Sequence, residues 1–176
     1  LNMPFIAAGR DKGRMQAGLD TVPGLETAEY ELAEVAHSVE ELTKLLTGAK
    51  VLLNTVGPFM EYGPAAVEAC YNAGVHYTDT TGEQDWLIWC KAEWGARFAE
   101  KGLLLSPGIA QMYTVGEIAA NYVLETPGID SLDMAVFWKG TPTVASTATI
   151  VQNAILSKAY YLEEDSLVEW PADAGL

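Results

Sequence analysis

The sequence predicts an α/β fold, in which an incomplete, doubly wound parallel sheet is followed by the start of a second α/β (α+β) domain. Strand-like and helix-like segments alternate through the first part of the chain, and such alternation favours right-handed crossovers with helices on both faces of the sheet. Two apolar segments, residues 51–56 and 75–79, each lead into a loop of small and polar residues. In open parallel sheets, ligands bind at the carboxyl ends of the strands, where such loops lie.

The first predicted strand covers residues 4–8, and a short helix follows from Asp11 to about Asp20. Residues 28–35 alternate between polar and apolar, which is typical of a strand near the edge of a sheet. Ser38 and Glu41 then have the spacing of a capping box, in which each side chain accepts from the backbone amide of the other. A helix is therefore expected to begin at Ser38 and to end near a glycine.

The central strand–helix units follow the same scheme. Residues 51–56 are almost wholly apolar, as expected of a strand covered on both faces. Gly63 and Pro64 predict the start of the next helix, since a proline in the first turn lacks only an amide that would have no partner. Residues 75–79 form the next predicted strand, and a long helix over residues 83–101 carries apolar side chains at three- and four-residue spacing.

A short strand at residues 103–106 completes this alternation, and the pattern changes after Pro107. Thr114 and Glu117 predict a capped helix that reaches about residue 125. Residues 131–139 alternate as a longer strand. Residues 145–156 are rich in Ala, Ser and Thr and are predicted to form a helix.

Composition excludes some classes of function. The net charge of −14, with only ten Lys and Arg, argues against a nucleic-acid partner, because phosphate binding needs clustered cations. No apolar run reaches the length of a transmembrane segment, so we predict a cytoplasmic protein. Cys70 and Cys90 occupy apolar helical positions and are expected to be reduced core thiols, with a disulfide or a catalytic thiol as alternatives. Two histidines without clustered cysteines do not favour a structural metal site.

One part of the expected sheet has no counterpart in the sequence. A dinucleotide-binding sheet of the Rossmann type begins with a strand and a Gly-rich turn, whose amides hold the pyrophosphate. No such spacing precedes Pro4. If residues 4–8 form the second strand of such a sheet, the first strand should lie between it and the strand at 51–56. We therefore expect a gap in the middle of the sheet, and a fragment of a larger protein that lacks the first βα unit and much of the second domain.

Several segments together resemble the saccharopine dehydrogenase-like oxidoreductases. The resembling segments are Ala8 to Arg10, Asn54 to Phe59, Tyr62-Gly63, Val67 to Cys70, Ala73-Gly74 and His76 to Glu83. The resemblance implies that residues 1–110 form a partial NAD(P)-binding Rossmann-like domain. It implies that residues 111–176 begin a substrate and dimerisation domain, through which the protein would form a homodimer. A nicotinamide cofactor and a small-molecule substrate follow from the same resemblance.

The cofactor is expected at the loops that follow two of the strands. Arg10 follows the predicted second strand, at the position that contacts the adenine ribose, and an arginine there accommodates a 2′-phosphate. NADP is therefore favoured, with NAD possible, and the alternative is a solvated Arg10 beside Asp11. Residues 54–58 are interpreted as a wall against the nicotinamide ribose or, alternatively, as an ordinary tight turn. The predicted cofactor contacts are Arg10, Asp11, Asn54, Thr55, Val56, Gly57, Pro58, Thr80 and Thr81.

Candidate acid–base residues surround the end of the next strand. Strand alternation directs Tyr77 and Asp79 to one face and His76 to the other. Asp79 and Glu83 are expected to lie close together at the cleft, where burial or mutual repulsion would raise the pKa of one of them and suit it to proton transfer. The equally weighted alternative is that Asp79 or Thr81 caps the helix that starts near Glu83, with Glu83 complementing its dipole. His76 has packing as its alternative role, and Tyr77 is a further candidate acid.

These observations predict an NADP-dependent oxidoreductase of the saccharopine dehydrogenase-like type. Hydride would pass between the nicotinamide and a small or acyl substrate held between two domains. The main alternative is a non-catalytic nucleotide-binding scaffold, or a lipid- or partner-associated protein with the same fold. A third possibility is a non-redox enzyme that binds another nucleotide on the same sheet.

Overall fold

A computed structural model describes residues 3–137, 139–144, 146–148, 150–151, 158–164 and 166–171. In its first unit, strand β1 (Phe5–Gly9) pairs in parallel with β2 (Tyr30–Glu34). Helix α1 (Lys12–Leu19) connects them, and it begins where predicted because the Asp11 side chain caps it, accepting from the Arg14 amide at 2.9 Å. The predicted order of strand, helix and edge strand is confirmed.

Helix α2 (Val39–Leu46) follows β2 and forms only half of the predicted capping box. Ser38 Oγ accepts from the Glu41 amide at 3.3 Å, as expected. The Glu41 carboxylate, however, accepts from Lys44 Nζ at 2.9 Å on its own helix, and the Ser38 amide donates to the Ala36 carbonyl oxygen. The expectation for Glu41 was therefore wrong, because a lysine one turn along competes for its carboxylate.

The second sheet consists of β3 (Val51–Asn54), β4 (His76–Asp79) and β5 (Leu105–Ser106), all parallel and in this spatial order. Helices α3 (Phe59–Ala73) and α4 (Gln84–Glu100) are the connections between these strands. This arrangement confirms the predicted α/β class and the alternation of strands and helices.

Helix α3 begins at Phe59, one turn earlier than Gly63 and Pro64 predicted. The amides of Phe59 and Met60 donate to the two carboxylate oxygens of Glu83, at 2.8 and 2.9 Å. This cap comes from a side chain 24 residues further along the chain, and Pro64 consequently lies inside the helix. The local sequence does not indicate this cap, because a side-chain cap is ordinarily supplied by a residue next to the helix.

The hydrophobic core lies between α3, α4 and β4. On α4 the buried side chains are spaced by four residues, namely Trp86, Cys90, Trp94 and Phe98. Leu87, although apolar and three residues before Cys90, is only half-buried. Cys70 and Cys90 are free and buried, which confirms their predicted place in the core. Burial raises the pKa of Cys70 to about 12 and raises that of Cys90 as well.

The expected gap lies between β1 and β3, which belong to separate sheets in the described structure. Apolar side chains on these strands remain exposed, with Ile6 at 49%, Val51 at 46% and Leu53 at 55% relative exposure. The prediction that residues 51–56 form a strand covered on both faces was therefore wrong. The strand is shorter, and no described element covers the side that carries Val51 and Leu53.

Beyond β5, a π-helical turn (Gln111–Val115) runs into helix α5 (Gly116–Leu124). The predicted cap at Thr114 is wrong, because the Thr114 amide donates to the Ala110 carbonyl oxygen inside the preceding turn. Residues 131–137, predicted as a strand, are not in a sheet. No described strand lies alongside them, and alternation alone does not form a strand without a partner.

The remaining prediction, a helix over residues 145–156, falls largely outside the described residues, although residues 146–148 and 150–151 are helical. Among the helices that the structure describes, none combines the length and apolar character that crossing a membrane requires.

An antiparallel hairpin, β6 (Tyr160–Glu163) and β7 (Ser166–Glu169), was not predicted. Tyr160 and Tyr161 are half-buried in it. The Gln84 side chain pairs with the Tyr160 backbone, donating from Nε2 at 3.1 Å and accepting at Oε1 at 2.9 Å. The hairpin therefore docks against the start of α4.

Candidate functional site

A cleft of about 690 Å³ lies between β1 and β3, within the size range of cofactor pockets. Its walls are the carboxyl ends of the two strands and the loops that follow them. Leucines of α2 line one side, namely Leu42, Leu45 and Leu46. Two arginines, Arg10 and Arg14, line it where β1 passes into α1. The cleft thus combines an apolar surface with a basic end, as a nucleotide with a phosphate requires.

Most of the predicted cofactor residues meet in this cleft. The residues that line it are Arg10, Asp11, Asn54, Thr55, Val56, Gly57 and Pro58. Thr80 and Thr81 do not line it. Thr80 is exposed elsewhere, whereas Thr81 is buried and its Oγ1 accepts from the Glu83 amide at 3.0 Å. The chain therefore brings together two loops that are far apart in sequence.

The basic end includes residues that sequence reasoning missed. Among the described residues, neither Arg10 nor Arg14 makes an ion pair within 4.0 Å, so their guanidinium groups remain available for an anion. Arg14 could have been identified, because it follows Arg10 by four residues at the start of a predicted helix. His37 and Tyr62 also line the cleft, and His37 Nε2 donates to the Tyr62 carbonyl oxygen at 2.8 Å. Tyr62 belongs to one of the segments that carry the family resemblance, but neither residue was predicted to line a site.

The loop after β3 is shaped by the Asn54 side chain. Its Oδ1 accepts from the Val56 amide at 3.0 Å, and its Nδ2 donates to Tyr77 Oη at 3.1 Å. Asn54 is buried, whereas Thr55, Val56 and Gly57 are exposed. The amide of Asn54 therefore holds the turn in shape, and the exposed residues of the turn are the ones that can contact a ligand.

Asp79 is fully buried at the end of β4 and accepts hydrogen bonds from four donors. Oδ2 accepts from Tyr77 Oη at 2.9 Å and from Trp86 Nε1 at 2.6 Å. Oδ1 accepts from the amides of Thr81 and Gly108, at 3.0 and 2.8 Å. Two carboxylate oxygens have room for about four such bonds. Asp79 thereby links its strand, helix α4 and the loop after β5.

Glu83 is also buried, at 4% relative exposure, and both of its oxygens bind the first amides of α3. Its negative charge complements the dipole at that helix's N-terminus. The predicted interaction with a helix dipole thus occurs at α3, whereas the prediction had placed it at α4. The Thr81 hydroxyl accepts from the amide of Glu83, the residue that precedes α4, so the predicted side-chain cap on α4 by Asp79 or Thr81 is not formed.

The other two acid–base candidates have structural contacts as well. Tyr77 is fully buried, and burial raises the pKa of its phenol, with a further increase from the Asp79 carboxylate. His76 Nδ1 accepts from the Leu104 amide at 2.9 Å, next to β5. None of the four candidates lines the cleft. Their contacts favour structural roles, with Glu83 capping α3, and an acid–base role for them stays a prediction.

The parallel strands, the crossover helices and the cleft at the strand ends define a dinucleotide-binding α/β domain. Comparison with protein-family models agrees: the saccharopine dehydrogenase NADP binding domain matches residues 2–99. The chain belongs to this family. A second model, a family of unknown function (DUF5938), matches residues 114–176.

Curated relatives share the first part of the chain. A "Trans-acting enoyl reductase" of Mycobacterium ulcerans is 36% identical over 90 residues, which cover 51% of this chain and 21% of that protein. A mouse "Saccharopine dehydrogenase-like oxidoreductase" is 29% identical over 109 residues, which cover 58% of this chain and 25% of that protein. An Arabidopsis thaliana "Probable mitochondrial saccharopine dehydrogenase-like oxidoreductase" is 36% identical over 101 residues, which cover 56% of this chain and 22% of that protein. The chain spans a quarter or less of the length of each of these relatives.

Proposed function

We propose that the protein is an NADP-dependent oxidoreductase, which transfers hydride between a nicotinamide and a small or acyl substrate held between two domains. The observation that carries this proposal is the cleft between β1 and β3, whose basic end and exposed loop suit the two ends of a dinucleotide. The names of the relatives, an enoyl reductase and saccharopine dehydrogenase-like oxidoreductases, support the redox class.

The residues of the cleft fit the adenosine end of NADP. Arg10 and Arg14 supply positive charge without a carboxylate partner among the described ion pairs, and guanidinium groups bind phosphate through paired N–H donors. Gly9 lies where β1 turns into the cleft, and a Cβ there would lie 2.8 Å from Met15 Sδ. This close packing brings α1, which carries Arg14, against the end of the strand.

The exposed turn of residues 55–57 is assigned to the nicotinamide end. The bound nicotinamide would supply or accept the hydride, and this chain would orient it and limit access of water. Thr55 and Val56 offer a hydroxyl and an apolar surface on the cleft side. Asn54 holds the turn from beneath through its bond to the Val56 amide.

We propose that residues 1–110 are one part of the nucleotide-binding domain, completed by a strand that lies between β1 and β3. Among the described residues, β1 and β3 each have one edge without a strand partner, and both strands line the same cleft. Such edges can bind further strands. The turn after such a strand would supply amides for the pyrophosphate. Residues 111–176 would begin a substrate and dimerisation domain. Exposed apolar side chains there, such as Ile118 and Phe137, support self-association in a homodimer.

A non-catalytic nucleotide-binding scaffold remains the second candidate. It is favoured by one observation, namely that Asp79, Glu83 and Tyr77 are fully engaged with other groups of the protein. Turnover of NADPH with panels of keto acids and enoyl thioesters separates the two candidates, since only the enzyme consumes the cofactor. The cytoplasm stays the proposed location, although one relative is named mitochondrial.

Replacing Arg10 by Ala should weaken the binding of NADPH at least about tenfold, because a charge-assisted contact to the 2′-phosphate is lost. The affinity for NADH, which lacks that phosphate, should change little. Both dissociation constants can be measured by nicotinamide fluorescence with the full-length protein. The matched control is Arg97→Ala, which removes the same charge from a side chain that packs over Trp94. An equal loss of affinity for both nucleotides would contradict the assignment of Arg10.

A further inference from the structure

Glu83 lies between β4 and α4 in the sequence, yet its carboxylate binds the start of α3, the helix that precedes β4. Oε1 accepts from the Phe59 amide at 2.8 Å and Oε2 from the Met60 amide at 2.9 Å. These amides directly follow the turn of residues 55–58. The residue at the start of α3, Pro58, supplies no side-chain cap. Glu83 is therefore the group that satisfies the first amides of this helix.

The surroundings of Glu83 fix its position. Its own amide donates to Thr81 Oγ1 at 3.0 Å, and the Thr81 amide donates to Asp79 Oδ1 at the same distance. The side chain is buried, and each of its oxygens accepts a hydrogen bond. Both oxygens are thus occupied, and neither is free to bind a ligand in the cleft. Through these bonds Glu83 connects the end of β4 to the beginning of α3.

We propose that Glu83 is a positioning residue, which sets the orientation of the turn at residues 55–58 toward the nicotinamide half of the cofactor. This inference rests on the function proposed above. Glu83 acts through the amides of Phe59 and Met60 and does not touch the cofactor. Its loss should therefore affect ligands that reach this turn and spare ligands that occupy only the basic end of the cleft.

The test compares two probes with the full-length protein. NADPH reaches both ends of the cleft, whereas adenosine 2′,5′-bisphosphate reaches only the end with Arg10. In Glu83→Gln, one oxygen is replaced by an NH₂ group that faces a backbone N–H. We expect NADPH to bind about tenfold more weakly, in line with the loss of a charged hydrogen bond, and the bisphosphate to bind unchanged. Calorimetry measures both affinities.

Two further variants complete the experiment. Glu68→Gln removes the same charge from an exposed position of α3 and should bind both probes as the wild type does. Glu83→Asp keeps the charge but shortens the side chain, and it should also weaken the binding of NADPH while leaving that of the bisphosphate unchanged. It replaces Glu83→Gln in the test if that variant does not fold. Unchanged NADPH binding, or an equal loss for both probes, would overturn the proposal. A wild-type protein that binds neither probe would instead refute the proposed function, and the role of Glu83 with it.

Discussion

Replacing Asp79 by Ala is expected to lower the free energy of unfolding by about 3–5 kcal/mol, because it leaves buried donors unpaired. Four donors would lose their acceptor: the Tyr77 hydroxyl, the Trp86 indole N–H, and the amides of Thr81 and Gly108. Water cannot easily replace the carboxylate, since Asp79, Tyr77 and Trp86 are fully buried. The loss would therefore combine unsatisfied polar groups with a small cavity.

Urea unfolding of Asp79→Ala measures this effect. Glu93→Ala serves as the control, because Glu93 is an exposed acid on α4 and its loss should change stability by no more than about 0.5 kcal/mol. Asp79→Asn should fall between the two, since it keeps one acceptor oxygen and replaces the other by a donor. Equal stability of the Asp79→Ala and Glu93→Ala proteins would show that the buried carboxylate does not hold the strand, helix and loop together.

A second large effect is expected from Gly63→Ala, at about 3 kcal/mol of lost stability. A Cβ at this position would lie 2.4 Å from Trp86 Cη2 and 2.5 Å from Cζ2, too close for any real contact. The indole ring cannot move away easily, because its N–H donates to Asp79 at 2.6 Å and it stacks on Trp89. Helix α3 would have to shift away from α4.

Gly95→Ala provides a matched control in the next helix. None of the described residues has an atom within 4 Å of a Cβ built at Gly95. Alanine there should therefore stabilise the protein by about 0.5–1 kcal/mol through its better helix propensity. Thermal unfolding of both variants gives melting temperatures that should move in opposite directions. A Gly63→Ala protein that is as stable as the wild type would contradict the packing of Trp86 against α3.

The strands and helices of the first 106 residues could be predicted because local patterns specify them. Apolar runs predicted most of the strands, and alternation predicted β2. Asp11 and Ser38 marked helix starts, and the absence of a Gly-rich strand–turn unit predicted the gap between β1 and β3. The start of α3 could not be predicted, since its cap comes from Glu83 in another unit. A contact between residues that are distant in sequence does not change the local pattern of polar and apolar residues.

The candidate site was predictable in part for the same reason. Residues that follow strands were expected at one edge of the sheet, and Arg10 and residues 54–58 do meet there. Alternation correctly placed Tyr77 and Asp79 on one face, where they share a hydrogen bond. What it could not reveal is that Trp86 and Gly108 also donate to Asp79. Whether a carboxylate faces a cleft or the core depends on such tertiary contacts.

The most direct test of the proposed function is a fluorescence titration of the full-length protein with NADPH and NADH. The arginines of the cleft between β1 and β3 have no ion-pair partner among the described residues. The cleft therefore predicts saturable binding of NADPH that is at least about tenfold tighter than that of NADH. The tryptophans on α4 should transfer excitation energy to the bound nicotinamide. Absence of saturable binding by either nucleotide, or equal affinity for both, would contradict an NADP-binding role for this cleft.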